Sequence, residues 1–177
     1  MTVKCIAFCG RAGSGKTTIS EEYVSKRNYV RLSFAAPVKQ CYREVYGCEP
    51  NKHESSVRRW LQEFGTNFCR GIDSEVWVKN MARRVKAIQS VNDICSGIVI
   101  DDVRFRNEAD WLRQKGFVIV KVVGRGYELS KDIMAHPSEA EVELVEADIV
   151  LDNSGTVEET MKQLEMKLEQ FEARLNP

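Results

Sequence analysis

The stretch Phe8 to Thr18, FCGRAGSGKTT, decides the fold. Within it, Gly10-Arg-Ala-Gly-Ser-Gly-Lys-Thr17 fits the spacing G-x-x-x-x-G-K-[ST]. The apolar run Val3–Cys9 stops at Gly10 and reads as a buried first strand, and a helix is expected from about Lys16 to Lys26. Strand, glycine turn and helix in that order give the spacing its structural meaning. The glycines let backbone N–H groups turn inward around phosphates with no Cβ in the way. The helix N-terminus adds positive potential. Lys16 is expected to reach the β/γ oxygens, and the Thr17 hydroxyl to ligate Mg²⁺. The segment therefore predicts a site for ATP or GTP with magnesium, made by Arg11, Ala12, Gly13, Ser14, Gly15, Lys16, Thr17 and Thr18.

Outward from the loop, strands and helices alternate. Strands are expected at Tyr29–Phe34, at Ile98–Ile100 running into Asp101-Asp102, at Phe117–Val123 and at Ala147–Leu151. Helical spacing covers Ala36 to about Tyr46 and Ser55 to about Ser90. There Val57, Leu61, Phe64 and Phe68 form one stripe, and a second helix runs from Ser74 through Trp77, Met81 and Val85. Thr156 with Glu159 makes a capping box for a C-terminal helix. This alternation implies an α/β P-loop NTPase fold: a five-stranded parallel sheet flanked by helices on both faces, in a single domain over 1–177. In the last helix Val157, Met161, Leu164, Leu168, Phe171 and Leu175 are spaced 4-3-4-3-4. They form either a homodimer seam or the face that packs on the sheet.

Composition narrows the function classes. Of 177 residues, 26 are Lys or Arg and 26 are Asp or Glu, so no global field draws the chain to nucleic acid or to an acidic membrane. No apolar run approaches a bilayer span, and the expected location is the cytoplasm. The six cysteines include no Cys-x-x-Cys pair and read as reduced thiols rather than a zinc site.

A hydrolase that drives motion is poorly matched. Asn51-Lys-His-Glu54 ends in the wrong carboxylate for a guanine-reading loop, and Asp102-Val-Arg-Phe105 is not a switch motif. Arginines are abundant instead: Arg58, Arg59 and Arg70 on a helix, Arg104 and Arg106 past one strand, Arg125 past the next. Ligands collect at the C-terminal strand ends of parallel sheets, where Arg104 and Arg125 emerge. A phosphorylated acceptor is already an anion near neutral pH. It needs cations to hold two phosphates in line rather than a strong base, and Arg forks suit that. A magnesium carboxylate is expected at Asp101 or Asp102, with Asp102 favoured because it alternates onto the side of Arg104.

The chain resembles the bacteriophage deoxynucleoside monophosphate kinases, an NMP-kinase-like branch of the P-loop fold, over nearly its whole length. The resemblance is carried by GRAGSGKTT, LSFAAPVKQ, RRWLQEFGTN followed by VWVKNM, IVIDDVRFRNEADWL, HPSE and ADIVLDNSGTVEE, in that order. It implies ATP-dependent phosphorylation of a deoxynucleoside 5′-monophosphate, in host cytoplasm if the source is viral. It places the acceptor-binding helical region at about 36–90 and a short lid at about 124–146. Carried over by position, it implies that Phe34 to Lys39 border the acceptor pocket, that Arg58 or Arg59 and Arg70 face its phosphate, and that Trp77 walls the nucleoside. Asp102, Arg104 and Glu108 would shape the other side, and Arg125 and His136 the closing region. Asn153 to Gly155 would border adenine. Lys16, Arg59, Arg104 and Arg125 are the implied catalytic cations. Longer members carry an insertion where this chain has only Gly47 to Glu54. Dephospho-CoA kinases share the loop and a similar ending, but they expect Asp-x-Asp where this chain has Ser33-Phe-Ala-Ala-Pro37.

Overall fold

The structure is a computed structural model, and the residues described are 4–51, 53–91, 95–124 and 137–175. The contacts divide the chain into two compact units, Met1–Leu32 with Asp93–Pro177, and Ser33–Asn92.

The first unit holds the sheet: β1 (Cys5–Cys9), β2 (Tyr29–Leu32), β3 (Gly97–Val103), β4 (Val118–Val123) and β5 (Ile149–Asp152). The order is β2-β3-β1-β4-β5 and every pairing is parallel. β1 pairs with β3 on one side (Ile6 opposite Val99) and with β4 on the other (Ile6 opposite Val118). The loop after β1 therefore opens where the chain order reverses, which is where open α/β sheets bind ligands.

Alternation along the strands supplies two apolar faces. Ile6, Phe8, Val99, Val118, Val120, Val122, Ile149 and Leu151 face α1 (Lys16–Ser25) and the C-terminal helix, forming one core with Ile19, Tyr23, Met161, Leu164 and Leu168. Ala7, Cys9, Ile98, Ile100 and Ile119 are also buried and alternate with that set. The helix between β3 and β4, Arg106–Gln114, buries Ala109 and Leu112. The C-terminal helix spans Val157–Leu175 and opens with the expected box. Thr156 Oγ1 accepts the Glu159 N–H at 3.2 Å, and Glu159 Oε2 accepts the Thr156 N–H at 2.8 Å. Its 4-3 stripe is spent on the sheet: Met161, Leu164 and Leu168 are core, whereas Leu175 is 66% exposed.

The second unit is helical: α2 (Ala36–Tyr46), α3 (Ser55–Gln62), a π-helix (Glu63–Arg70) and α4 (Val76–Gln89). The expected single stripe over Val57, Leu61, Phe64 and Phe68 does not survive as such. Val57 is buried, but Phe68 is 61% exposed. The cause is the π-helix, whose i→i+5 bonds add a residue per turn and rotate later side chains off the α-helical face. Trp60, Phe64 and Phe68 instead stack in a row, at centroid distances of 4.9 and 6.1 Å. The buried face comes from Phe34, Val38, Tyr42, Val57, Val78, Met81 and Val85. None of the six cysteines is in a disulfide. Among the described residues, no helix is long and apolar enough to cross a membrane.

Candidate active site

The β1–α1 connection is a tight loop whose glycines are demanded by its surroundings. Gly10 has φ 138°, and a Cβ there would meet the Val122 carbonyl oxygen of β4 at 2.5 Å. Gly15 has φ 91°, and a Cβ there would lie 2.2 Å from Asn153 Nδ2. No L side chain fits either place without displacing backbone or a buried amide.

Lys16 is buried at 7% exposure. Its Nζ donates to the carbonyls of Gly10 and Arg11, each at 2.7 Å, and to Ser14 Oγ at 3.2 Å. Burial, followed by the nearby Arg104 guanidinium, pulls its pKa down from 10.5 to about 8; Glu139, Cys9 and Asp102 oppose the fall. Between about pH 8 and 10.5 the unfolded chain therefore holds more protons at this residue, and stability rises with pH across that window. An incoming polyphosphate surrounds the ammonium with anionic oxygens and returns its pKa upward. Nucleotide binding near pH 8 is thus expected to take up roughly half a proton at Lys16. The dependence of calorimetric binding enthalpy on buffer ionisation enthalpy measures this. Zero uptake would show that Lys16 is fully charged beforehand.

Thr17 and Thr18 are exposed on the first turn of α1. Asn153 is 2% exposed and lies beneath the loop: Nδ2 donates to the Ser14 carbonyl at 2.9 Å, and Oδ1 accepts from Thr160 Oγ1 at 3.0 Å. Its side chain fastens the phosphate loop to the C-terminal helix. Gly155 is exposed in the turn that follows.

At the end of β3 the two aspartates separate. Asp101 is 7% exposed and accepts from Arg31 Nη1 at 3.1 Å, while Arg31 also meets Glu21 at 2.8 Å. Asp102 is half-buried and acts electrostatically on Lys16. Asp102 is thus the carboxylate on the loop's side. Glu108, expected to shape the acceptor side, is 2% exposed and caps the helix after β3. Its Oε2 accepts the N–H of Arg104 at 3.0 Å and that of Phe105 at 3.2 Å, so it acts through the backbone that carries Arg104.

Two carboxylates that the motif reading missed clasp the loop. Glu139 Oε2 accepts the Ala12 N–H at 3.0 Å, and Oε1 pairs with Arg104 Nη1. Glu143 Oε1 pairs with Arg11 Nε at 2.6 Å, and Oε2 with Lys121 Nζ at 3.3 Å. Desolvation pushes the Glu143 carboxyl up, but the hydrogen bonds and charges of Arg11 and Lys121 together outweigh it and hold the group below its usual range. The sequence signal for Glu139 is its place in HPSE.

In the second unit, Phe34 is buried at 6% and Lys39 is half-buried on α2. Arg58 and Arg59 lie on α3, half-buried and exposed respectively. Arg70 is half-buried at the end of the π-helix. Trp77 on α4 donates its indole Nε1–H to the Gly65 carbonyl at 2.8 Å, which fixes the ring and uses its one polar group. Arg125, His136 and most of the expected lid at about 124–146 lie outside the described residues.

Comparisons with known proteins bear on the family and the fold. The family model for deoxynucleotide monophosphate kinase matches residues 48–164. A mimivirus (Acanthamoeba polyphaga mimivirus) protein named "Putative deoxynucleotide monophosphate kinase" is 30% identical over 90% of this chain and 93% of its own length. The deoxynucleotide monophosphate kinase of Enterobacteria phage T4 is 30% identical over 64% of this chain. The match spans 45% of that protein, and 43% of its counterpart from Escherichia phage RB69, so the chain covers less than half the length of those two relatives. Among solved structures, TT1252 from Thermus thermophilus superposes with a TM-score of 0.55 over 96% of this chain and 98% of its own, at 18% identity. A gluconokinase from Sinorhizobium meliloti gives 0.53 over 98% and 95%, at 17% identity. These two likenesses speak for the fold alone. With a phosphate loop built as the motif requires and a matching family model over well more than half its residues, the chain belongs to the deoxynucleotide monophosphate kinase family.

Proposed function

We propose that this chain transfers the γ-phosphate of ATP to a deoxynucleoside 5′-monophosphate, giving the diphosphate, with Mg²⁺ as the metal and the cytoplasm as the place of action. The observation that carries the reading is the geometry of the loop: Lys16 is buried with its Nζ 2.7 Å from the Gly10 and Arg11 carbonyls, between glycines at φ 138° and 91° that leave no room for a Cβ. A buried ammonium at a glycine loop before a helix N-terminus forms a site that gains from an anion.

The residues present fit a magnesium nucleotide. The Thr17 hydroxyl is exposed beside the loop, and of the two aspartates that end β3 Asp102 is the one that acts on Lys16. Among the described residues no cluster of three or more His, Cys, Asp or Glu could hold a metal, which suits an ion completed by phosphate oxygens and water. Bound there, Mg²⁺ neutralises charge on the β- and γ-phosphates. Lys16 neutralises more of it, and the N–H groups of Ala12 to Thr18 orient the chain of phosphates. The acceptor's phosphate is assigned to Arg58 or Arg59 and Arg70, and its nucleoside to Phe34, Lys39 and Trp77. A fixed indole with no spare donor suits a stacking wall rather than a base-reading group. Arg104 stabilises the charge passing between the two substrates, and Arg125 and His136 are proposed to close over it.

The test is a panel of all common NMPs and dNMPs, with dephospho-CoA included, scored by ADP release. The expected result is turnover with dNMPs, and an Arg59→Ala variant whose KM for the acceptor rises about tenfold or more with ATP affinity unchanged. No release above the no-acceptor rate would overturn the reading, and turnover of dephospho-CoA alone would replace it.

A further inference from the structure

Glu139 is a buried acid with an unusual set of partners. Its side chain is 4% exposed, yet it sits among groups built to hold anions. One oxygen takes a backbone N–H of the phosphate loop, that of Ala12, and the other takes the guanidinium of Arg104. Lys16 lies near enough for the carboxylate to act on its charge. A buried carboxylate is tolerated only where donors repay its lost hydration. Loop N–H, guanidinium and nearby ammonium are also the donors that a nucleotide phosphate oxygen requires. To such donors a carboxylate oxygen and a phosphate oxygen are equivalent: both are anionic, and both accept at similar distances.

The carrier of Glu139 is itself fastened to the loop. Glu139 lies in the short helix Pro137–Glu141, and a 3₁₀ turn, Val142–Leu144, follows directly. That turn brings Glu143 to Arg11 and to Lys121 of β4. Val142 is fully buried, so the segment is anchored by its own apolar contact. The Glu143 clasp is exposed, with both partners reaching it from the rim, and it does not touch the Ala12 N–H. Glu139 stands on the phosphate-binding donors.

We propose, resting on the functional reading above, that Glu139 is a placeholder for a phosphate oxygen: it occupies the Ala12 N–H until the nucleotide displaces it from there, and it goes on holding Arg104 in place during transfer. Glu139 is then a positioning residue acting through Arg104, and also an internal competitor of ATP. The two roles have opposite signatures. Loss of the competitor tightens nucleotide binding, whereas loss of the positioning slows transfer. A carboxylate that served only as a structural brace would, on removal, loosen the loop and weaken nucleotide binding.

The experiment measures affinity for the β,γ-imido analogue of ATP with Mg²⁺, by calorimetry and without acceptor, for the wild type, Glu139→Ala and Glu139→Gln. Because a charge-assisted contact is lost, Glu139→Ala is expected to bind about tenfold tighter. Glu139→Gln is expected to gain less, since its amide oxygen still accepts from Ala12 without the charge. In steady state KM for ATP falls in both while kcat falls about tenfold, and Glu139→Asp recovers part of kcat. Should Glu139→Ala fail to fold, the near-isosteric Gln variant carries the same sign. Unchanged or weaker binding in the folded variants overturns the proposal. The two readings fail separately. A wild type that binds the analogue but phosphorylates no dNMP sinks the functional reading alone. A wild type that phosphorylates dNMPs while the variants bind no tighter sinks the placeholder alone.

Discussion

Lys16→Ala is expected to lower turnover at saturating ATP by about 10²–10³-fold, with the fold retained. The magnitude follows from what the ammonium supplies. It is a preorganised cation in a site shielded from water, aimed where charge moves during transfer, and one such group is commonly worth 10²–10³ in kcat. The buried position of Lys16, under its own loop carbonyls, means that no surface lysine can substitute by swinging in. Stability should move little or upward, because the variant no longer buries an ammonium beside the Arg104 guanidinium. Steady-state kinetics with a thermal melt of the same sample check both halves. Residual activity within tenfold of wild type would remove Lys16 from the chemistry, and a collapsed melt would make the loss uninformative about it.

The second large effect is on stability. Phe8 is fully buried on β1, the strand flanked by β3 and β4, and is among the largest wholly enclosed side chains in the chain. Phe8→Ala is expected to cost about 3–5 kcal/mol, from lost transfer energy plus a cavity that a rigid parallel sheet cannot close. That is a large part of the roughly 5–15 kcal/mol that holds a domain together. In urea the midpoint should fall with an unchanged slope. Phe8 sits two residues before Gly10, so the variant should also respond to nucleotide: ligand that binds only the folded state restores stability as RT ln(1 + [L]/Kd). The control is Phe68→Ala. Phe68 has the same side chain at 61% exposure and is expected to cost no more than about 0.5–1 kcal/mol, mostly the stack on Phe64. Equal costs at the two positions would contradict the assignment of the core.

Much of this was readable before any coordinates. The continuous apolar run into Gly10 announced β1, and Phe117–Val123 announced β4 to within a residue. The capping box at Thr156 marked the last helix. These signals are local: a strand covered on both faces needs an unbroken apolar run, and a helix start needs a side-chain acceptor for its own N–H groups. Where local geometry broke the expected period, the reading slipped. Phe68 belonged to an α-helical stripe on paper, and the π-helix from Glu63 to Arg70 carried it to the surface. The period of a helix is an assumption when read from sequence, and π turns leave no compositional mark as plain as a glycine or a proline.

The sequence by itself determined the class of site: the glycines, Lys16 and Thr17 dictate phosphate binding wherever a strand meets a helix. It also determined the parallel sheet, because buried strands alternating with helices admit few other packings. Only the tertiary structure decided which charges meet. Ala12 and Glu139 are 127 positions apart, and the Ser14 carbonyl and the Asn153 amide 139. It turned Asn153 under the loop, occupied Asp101 with Arg31, used Glu108 as a helix cap and spent the 4-3 stripe of the last helix on the sheet. A motif specifies its own backbone because its donors and acceptors are neighbours in the chain. Which distant carboxylate reaches those donors depends on how strands stack side by side, and pairwise charge leaves no periodic trace in a sequence.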